Sequence, residues 1–230
     1  ENQKFFYRSI ISALAFLDTM NPLQALSPLD GRYRDKIKNL SHYFSEMALQ
    51  KYRVMVEIEW FVFLCNKAKL DCTRVLTKKE IEFLRDFYKN FTLEKSEHIK
   101  KIEKVTNHDV KAVEYFIREN MKGTTMENLC SFIHFACTSE DINNLAYGLM
   151  IRDAGAYEFK PLLETLAEQV FMMAKEYRQF AMLSHTHGQV ASPTTMGKEF
   201  LNVFYRLKIQ MDSLNQMSIW GKMNGAVGNF

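Results

Sequence analysis

Apolar residues recur three and four positions apart over most of the chain, which is the spacing of an amphipathic α-helix. This pattern is clear at residues 56–64 and again at residues 142–150, 162–177 and 196–214. The alternation of apolar and polar residues that marks a β-strand is nearly absent. The sequence therefore predicts an all-α protein.

The last two helical stretches are joined by a polar segment at residues 184–193, which we interpret as a loop. Two long amphipathic helices connected in this way are expected to lie antiparallel in a helix bundle. Their apolar stripes are wide, so each helix is expected to meet several partners. Residues 225–230 form a stretch rich in small residues that brings no closing helix. We therefore interpret the chain as a fragment that ends inside a bundle.

The composition agrees with a globular protein and argues against several other classes. Of the 230 residues, 47% are hydrophobic and 25% are charged, a balance that excludes a wholly disordered chain. The 30 basic and 27 acidic residues are interspersed, without the basic block that is typical of a nucleic-acid binder. No apolar run reaches the length of a membrane span. Neither nucleic acid nor a membrane is therefore an expected partner.

The cysteines and the first residues bear on where the protein works. The four cysteines form no Cys-x-x-Cys pair and lie among apolar neighbours, so we interpret them as buried free thiols in the reducing cytosol. An apolar run at residues 10–17 is short and is followed by no cleavage site of the kind that ends a signal peptide. Because Met20 precedes a recognisable start, residues 1–19 are interpreted as an N-terminal extension or an artificially added segment.

Four polar clusters interrupt the apolar pattern. The first, at residues 27–33, places Arg32 and Tyr33 directly after the turn dipeptide Asp30-Gly31. A guanidinium and a phenol in this position can contact an anion. Taken alone, an ordinary exposed loop is the better explanation of this cluster.

The second and third clusters each open a predicted helix, with Thr-Asn-His-Asp at residues 106–109 and Thr-Ser-Glu-Asp at residues 138–141. Free N–H groups at a helix start, together with hydroxyls, can bind an anion. The same residue types also serve as plain N-caps. A cap on a preceding residue leaves His108 unexplained, because the helix dipole disfavours an imidazolium in the first turn. Both interpretations remain open at this point.

The fourth cluster, at residues 184–189, contains His185 and His187. Two histidines spaced two apart do not share a helix face and no third ligand lies nearby, so a metal site is not expected. A loop histidine next to a glycine is a candidate general acid or base, because the pKa of an imidazole lies near neutrality. An ordinary surface histidine is the alternative.

Longer strings around these clusters resemble the adenylosuccinate lyases of the bacterial type, a family of the fumarase/aspartase superfamily. The resemblance runs in the family's order from Met20 to Phe230. The strings Thr-Ser-Glu-Asp-Ile at residues 138–142 and Thr-His-Gly-Gln at residues 186–189 are part of it. Argininosuccinate lyases typically carry Ser-Arg-Asn-Asp-Gln in place of the first string, so the resemblance selects the purine branch. The other matching strings are residues 26–33, 106–116, 131–145, 197–199 and 224–229.

The resemblance implies an architecture and a reaction. It implies a helical N-terminal domain at residues 20–138, followed at residues 139–230 by the incomplete start of a central helix bundle. It implies elimination of fumarate from adenylosuccinate, giving AMP, and from the succinylated aminoimidazole carboxamide ribotide. Neither a metal nor an organic cofactor is expected. The intact enzyme is expected to be a cytoplasmic homotetramer whose sites combine residues from three subunits.

The resemblance also assigns roles to residues. His187 matches the general acid of the family, and the positions that match its substrate-binding residues are Arg32, Tyr33, Asn107, His108, Asp109, Thr138 and Ser139. The base of the family is a serine in the string Ser-Ser-x-Met-Pro-x-Lys-x-Asn-Pro, which these 230 residues do not contain. The chain alone is therefore expected to be inactive. A helical scaffold with polar caps and another lyase of the superfamily are the competing interpretations.

Overall fold

The computed structural model describes residues 21–68 and 70–229 of the chain. The interpretation of residues 1–19 lies outside the described residues. Internal contacts divide the chain into two units, residues 1–41 and residues 42–230, which we describe separately.

The described part of the first unit consists of turns and short helices. A 3₁₀ turn (Pro22–Gln24) is followed by the predicted polar cluster, then by helix α1 (Arg34–Ile37) and a second 3₁₀ turn (Lys38–Leu40). The cluster folds on itself, because the Gly31 N–H donates to the Ser27 carbonyl at 3.0 Å. The first residue of helix α2 (Ser41–Phe44) closes this unit.

Seven longer helices of the second unit confirm the helical prediction. They are α3 (Glu46–Phe63), α4 (Lys78–Lys89), α5 (Leu93–Thr106), α6 (Asp109–Met121), α7 (Ser139–Ala154), α8 (Lys160–Glu176) and α9 (Met196–Gln216). A π-helical turn (Leu64–Ala68) extends α3, and a 3₁₀ turn (Glu127–Phe132) follows α6. A second π-helical turn (Gly155–Phe159) joins α7 to α8 without a break in the helix.

Polar residues at the helix starts explain where these helices begin. Thr77 and Glu80 form a reciprocal capping box at α4: the Glu80 N–H donates to the Thr77 hydroxyl at 3.3 Å, and the Thr77 N–H donates to the Glu80 carboxylate at 2.8 Å. Such a box satisfies two backbone donors that have no partner inside the helix. Side-chain hydroxyls cap three further helices, at Ser45, Thr92 and Thr195.

Helix α3 lies at the centre of the core. One side of it packs in a large apolar cluster that includes Ile58, Phe61, Leu84, Phe116 and Ile117. A smaller cluster joins it to the starts of α6 and α7 and consists of Tyr52, Val56, Val110, Ile142, Ala146 and Met150. Burial of apolar side chains is the main stabilising contribution to such packing. The helices that carry the second and third polar clusters are therefore both fixed against α3.

Helices α8 and α9 pack together and run antiparallel, as predicted. The ring centroids of Phe171 and Phe204 lie 4.8 Å apart, and those of Tyr177 and Phe200 lie 6.0 Å apart. The aromatic residue that is later in the sequence on the α8 side, Tyr177, contacts the earlier one on α9, Phe200. The two helices therefore run in opposite directions. Many apolar side chains of this pair stay exposed, among them Leu162, Leu166, Val203, Tyr205 and Ile209.

The segment predicted as a loop between these helices is a β-hairpin. Strand β1 (Ala181–Thr186) pairs antiparallel with β2 (Gln189–Thr195), with Thr186 opposite Gln189 and an irregularity between Leu183 and His185. Most of its side chains are exposed on both faces. Without a buried face there is no apolar–polar alternation to reveal a strand, which is why the pattern suggested a loop.

Two other predictions concern the limits of the first domain and the thiols. Helix α7 begins at Ser139, but a domain boundary at residue 138 stays a prediction. The four cysteines are free, and Cys65 is buried as expected. Cys72 is exposed, so the prediction of burial is wrong for this residue.

In the described part of the chain, every helix is too short or too polar to cross a membrane.

The close approach of α8 and α9 leads to a prediction about Gly197. A Cβ atom at this buried position would lie 2.5 Å from the Ala174 carbonyl oxygen and 2.5 Å from the Arg178 Cα. Because both atoms belong to the backbone, Gly197→Ala should force the helices apart and lower the free energy of unfolding by about 1–3 kcal/mol. Urea unfolding followed by circular dichroism measures this change.

Gly155→Ala is the matched control. A Cβ atom at Gly155 would meet nothing within 4 Å, and alanine favours a helix by about 1 kcal/mol over glycine. Equal urea midpoints for Gly197→Ala and the wild type would contradict the predicted overlap.

Candidate functional site

The second and third polar clusters meet where α6 and α7 begin. His108 is the N-cap of α6, and its Nδ1 accepts a hydrogen bond from the Lys111 N–H at 3.2 Å. Its Nε2 lies 3.4 Å from the Ser139 hydroxyl at the start of α7. The sequence placed these clusters on separate helices, and the fold brings them into contact.

The capping hydrogen bond concerns the tautomer of His108. A ring nitrogen that accepts a hydrogen bond carries no proton, so a cap through Nδ1 requires the tautomer that carries its N–H at Nε2. The expectation that His108 sits in the first turn is wrong by one residue, because His108 is the cap itself. The capping interpretation accounts for Nδ1, while Nε2 faces the start of α7.

Asn107 makes the reversal between α5 and α6. It ends α5 with a left-handed backbone (φ 51°), and its N–H donates to the Glu103 carbonyl at 2.8 Å. Asparagine tolerates this conformation better than most residues, so its position has a structural reason. Its side chain is exposed and borders a surface depression of about 630 Å³, lined by Lys100, Glu103, Lys104, Asn107, His108 and Asp109.

Asp109 is held by an arginine that the sequence analysis did not single out. Arg53 of α3 is only 6% exposed; it donates to the Asp109 carboxylate at 2.6 Å and to the Asn143 side-chain oxygen at 2.9 Å. Burial by itself would raise the pKa of Asp109, but the Val110 N–H and the Arg53 charge hold it below its usual value. One guanidinium thus ties the first residue of α6 and the fifth residue of α7 to α3. Its signal in the sequence was a charged residue inside an apolar helical stripe.

Thr138 and Ser139 stand at the start of α7 and are both half-buried. Thr138 occupies the N-cap with an extended backbone, and its N–H donates to the Asp141 carboxylate at 2.9 Å. The Ser139 hydroxyl faces His108. The predicted position of these residues at a helix start is confirmed, and their contact with a substrate stays a prediction.

The loop before α7 is anchored on α3. His134 and Ala136 have left-handed backbones (φ 62° and 58°), which costs about 1–3 kcal/mol for each residue that is not glycine. The His134 Nδ1 lies 2.6 Å from a carboxylate oxygen of Glu57, which is fully buried. The Trp60 indole donates to the Phe135 carbonyl at 2.8 Å. These contacts offset the backbone strain and fix the path of the chain into Thr138.

Arg32 and Tyr33 lie in the first unit. Both side chains are exposed, and the guanidinium carbon of Arg32 stands 5.5 Å from the centre of the Tyr33 ring. This is the geometry of a cation–π contact. It leaves the guanidinium N–H groups accessible, and the predicted contact with an anion remains untested.

His187 lies at the exposed tip of the β-hairpin. His187 and Gly188 form the two-residue turn with φ values of 52° and 73°, the sign pattern of a type I′ turn. His185 lies on β1 opposite Val190. Among the described residues, no hydrogen bond or ion pair connects His187 with the starts of α6 and α7. The fold of this chain therefore brings Asn107, His108, Asp109, Thr138 and Ser139 together, without a recorded contact to the predicted acid.

No group of three or more His, Cys, Asp or Glu side chains is close enough to hold a metal ion in residues 21–68 and 70–229. The chemistry that this region offers is hydrogen bonding to an anion by hydroxyls, helix N–H groups and an imidazole N–H.

The arrangement of two helix starts against a central helix can be compared with known proteins. A family model described as Lyase matches residues 31–230. The chain belongs to this family of lyases. The resemblance seen in the sequence is thereby confirmed at the level of the family.

Among the relatives is the adenylosuccinate lyase of Legionella pneumophila (strain Corby), which is 48% identical over 92% of this chain and 47% of that protein. The adenylosuccinate lyase of Haemophilus influenzae is 46% identical over 92% of this chain and 46% of that protein. This member of the lyase family therefore spans about half the length of the curated relatives it matches.

Solved structures support the fold of this lyase family member. A fumarate lyase from Mesorhizobium sp. BNC1 superposes with a TM-score of 0.62 at 20% identity, over 85% of this chain and 43% of that chain. The β-carboxy-cis,cis-muconate cycloisomerase from Acinetobacter calcoaceticus sp. ADP1 gives 0.61 at 20% identity, over 84% and 44%. At this identity the likeness concerns the helical architecture alone.

The Glu57–His134 contact predicts how the stability of the protein depends on pH. Its hydrogen bond to Glu57 raises the pKa of His134 above the usual 6.5, and burial raises the pKa of Glu57. A raised histidine pKa stabilises the fold below the pKa of the unfolded chain, and this contribution is lost as the pH rises through the folded value. The raised carboxyl pKa acts in the same direction. The free energy of unfolding should therefore fall as the pH rises above 6.5, as measured by urea unfolding at a series of pH values.

Glu57→Gln combined with His134→Asn should flatten this dependence, because neither amide titrates and asparagine accepts the left-handed backbone. The control is His98→Asn, which removes an exposed histidine that pairs with Glu119 at 3.1 Å and should keep the wild-type slope. An unchanged slope in the double variant would assign the pH dependence to other groups.

Proposed function

We propose that the complete protein is an adenylosuccinate lyase that releases fumarate from adenylosuccinate, giving AMP, and from the succinylated aminoimidazole carboxamide ribotide. The observation that carries this proposal is the meeting of two helix starts, at His108 and Ser139, within strings that match the adenylosuccinate lyases. The 48% identity to a protein of that name over 92% of the chain supports it. This chain would form the N-terminal half of the enzyme.

The chemistry of the substrate fits the groups at these helix starts. Adenylosuccinate carries a phosphate and two carboxylates, so its enzyme needs several anion-binding groups. The positive ends of α6 and α7, the Ser139 hydroxyl and the His108 Nε2–H supply such groups next to each other. Lys104 lines the adjoining depression and has no ion-pair partner in the described part of the chain. These features support a role in binding the negatively charged substrate.

The elimination itself needs a base and an acid. The base removes a proton from the β-carbon of the succinyl group, the carbon–nitrogen bond breaks, and the purine 6-amino nitrogen takes a proton as it leaves. We assign this proton donation to His187, which matches the general acid of the family. Donation to the leaving nitrogen avoids expelling an unstable anion. We place the base in the half of the enzyme that lies beyond these residues, as the resemblance implies.

The exposed position of His187 leads to a second part of the proposal. The hairpin carries its imidazole on the surface, and the described residues show no contact between it and the helix starts. We propose that His187 enters a site completed by other subunits of a cytoplasmic homotetramer, which is the assembly implied by the resemblance. The exposed apolar residues of α8 and α9 support burial of these helices in such an assembly.

An assay of fumarate release tests the proposal. The full-length protein should release fumarate from adenylosuccinate and not from argininosuccinate, whereas the 230-residue chain alone should be inactive. His187→Ala in the full-length protein should lower kcat by about 10²–10⁴-fold, the usual contribution of a positioned acid, with little change in substrate binding. Steady-state kinetics with adenylosuccinate measures both effects.

His185→Ala provides the internal control, because His185 lies two residues away on β1 and should affect kcat far less. Near-normal turnover of the His187→Ala variant would show that His187 is not the general acid. Release of fumarate from argininosuccinate but not from adenylosuccinate would move the enzyme to another branch of the superfamily.

A second prediction separates binding from capping at His108. His108→Asn keeps a side-chain oxygen that can cap α6 but removes the Nε2–H, so the helix should remain stable while AMP binding weakens. Loss of a hydrogen bond to a charged group costs about 1.5–3 kcal/mol, or roughly ten- to more than a hundred-fold in affinity. Calorimetric titration of the full-length protein with AMP measures this change. The control is His98→Asn, which should bind AMP with the affinity of the wild type. If His108→Asn also binds AMP with wild-type affinity, His108 has the capping role alone.

A further inference from the structure

Asp141, the third residue of α7, is completely buried and accepts four hydrogen bonds. Its Oδ1 accepts from the Lys222 ammonium at 2.7 Å and from the Asn224 N–H at 3.1 Å. Its Oδ2 accepts from the Gly225 N–H at 3.2 Å and from the Thr138 N–H at 2.9 Å. Burial alone would raise the pKa of Asp141, but the hydrogen bonds from Lys222 and the backbone hold it below the usual value. The group is therefore a buried carboxylate shared between the start of α7 and a distant segment.

Lys222 organises that segment. Its ammonium also donates to the Gly225 carbonyl at 2.8 Å, which closes residues 222–225 into a compact turn. The side-chain amide of Asn144 pairs with the Lys222 backbone in both directions: the Lys222 N–H donates to Asn144 Oδ1 at 2.7 Å, and Asn144 Nδ2 donates to the Lys222 carbonyl at 3.0 Å. Five of the hydrogen bonds described above thus attach residues 222–225 to Asp141 and Asn144 of α7.

The segment also fits closely against α7. A Cβ atom at Gly221 would overlap Cδ2 of Leu145, so the absence of a side chain lets this residue approach α7 without moving Leu145. Gly225 has a left-handed backbone (φ 71°), which lets the N–H groups of Asn224 and Gly225 reach both oxygens of one carboxylate. Close packing and hydrogen bonding together fix the relative position of the two elements.

The sharing of Asp141 gives Lys222 an indirect role. The carboxylate that accepts from Lys222 also holds the N–H of Thr138, the residue directly before Ser139. A buried carboxylate that loses its cationic partner is strongly destabilised and reorganises its remaining hydrogen bonds. A change at Lys222 is therefore felt at the start of α7, although its side chain makes no recorded contact with His108, Thr138 or Ser139.

We propose that Lys222 is a positioning residue of the lyase reaction, which acts through Asp141 to hold Thr138 and Ser139 in the geometry that binds substrate. The effect on catalysis rests on the proposed function; the effect on the position of α7 does not. Residues 221–225 then form the support on which the start of α7 rests.

Kinetics of the full-length protein test this role. Lys222→Met keeps the apolar length of the side chain and removes the charge, so the KM for adenylosuccinate should rise by about tenfold or more, while kcat falls less. Lys222→Arg keeps a cation and should restore part of the lost affinity. The control is Lys208→Met on α9, whose ammonium makes an exposed pair with Asp212 at 3.5 Å and whose removal should change neither KM nor kcat.

Hydrogen–deuterium exchange gives a readout that does not depend on activity. In Lys222→Met the amides of residues 138–141 should exchange faster than in the wild type, and those of α4 should be unchanged. If this variant does not fold, Asn144→Ala removes the backbone pairing without leaving a buried charge and should act in the same direction.

The outcomes separate this inference from the proposed function. A wild type that releases no fumarate from adenylosuccinate rejects the function, and the exchange rates alone then decide the positioning role. An active wild type with unchanged KM in every folded Lys222 and Asn144 variant overturns the inference, even if those variants melt at lower temperature. Unchanged exchange at residues 138–141 overturns it as well.

Discussion

Two buried ionisable side chains on one face of α3 determine the geometry around the candidate site. Arg53 and Glu57 are one helical turn apart, and each is fixed by a partner from outside the helix: Arg53 by Asp109 and Asn143, and Glu57 by His134. A charge inside the core is tolerated only when it is paired, so these contacts cannot be exchanged for solvent without a large loss of stability. The starts of α6 and α7 and the loop between them are therefore set by one helix.

The sequence predicts the helices well because most of them have one buried and one exposed face, which produces the spacing of three and four. The same reasoning fails for the hairpin around His187, where both faces meet solvent. It also missed Arg53, since a single charge within an apolar stripe looks like an interruption of the pattern. The contact between His108 and Ser139 and the pairing of Asp141 with Lys222 depend on how distant segments pack. No local pattern in a single sequence contains that information.

The candidate site is unevenly supported within this chain. The predicted binding residues at the starts of α6 and α7 lie against a well-packed core, whereas the predicted acid lies on an exposed hairpin and the predicted base is missing from the sequence. This division agrees with a chain that spans about half of its curated relatives. Within this chain, the residues predicted to bind substrate at these helix starts therefore have rigid support that the predicted acid lacks.

The π-helical turn Gly155–Phe159 makes one continuous helix serve two different neighbours. A π-turn contains an additional residue, and each residue of a helix advances the side chains by about 100° around the axis. The apolar face therefore changes direction between the buried residues of α7, such as Ile142 and Met150, and those of α8, such as Ala167 and Ala174. The first set packs against α3, and the second set is buried where α8 packs against α9. One unbroken helix thus presents two apolar faces in different directions, so a single element can take part in two separate packing layers.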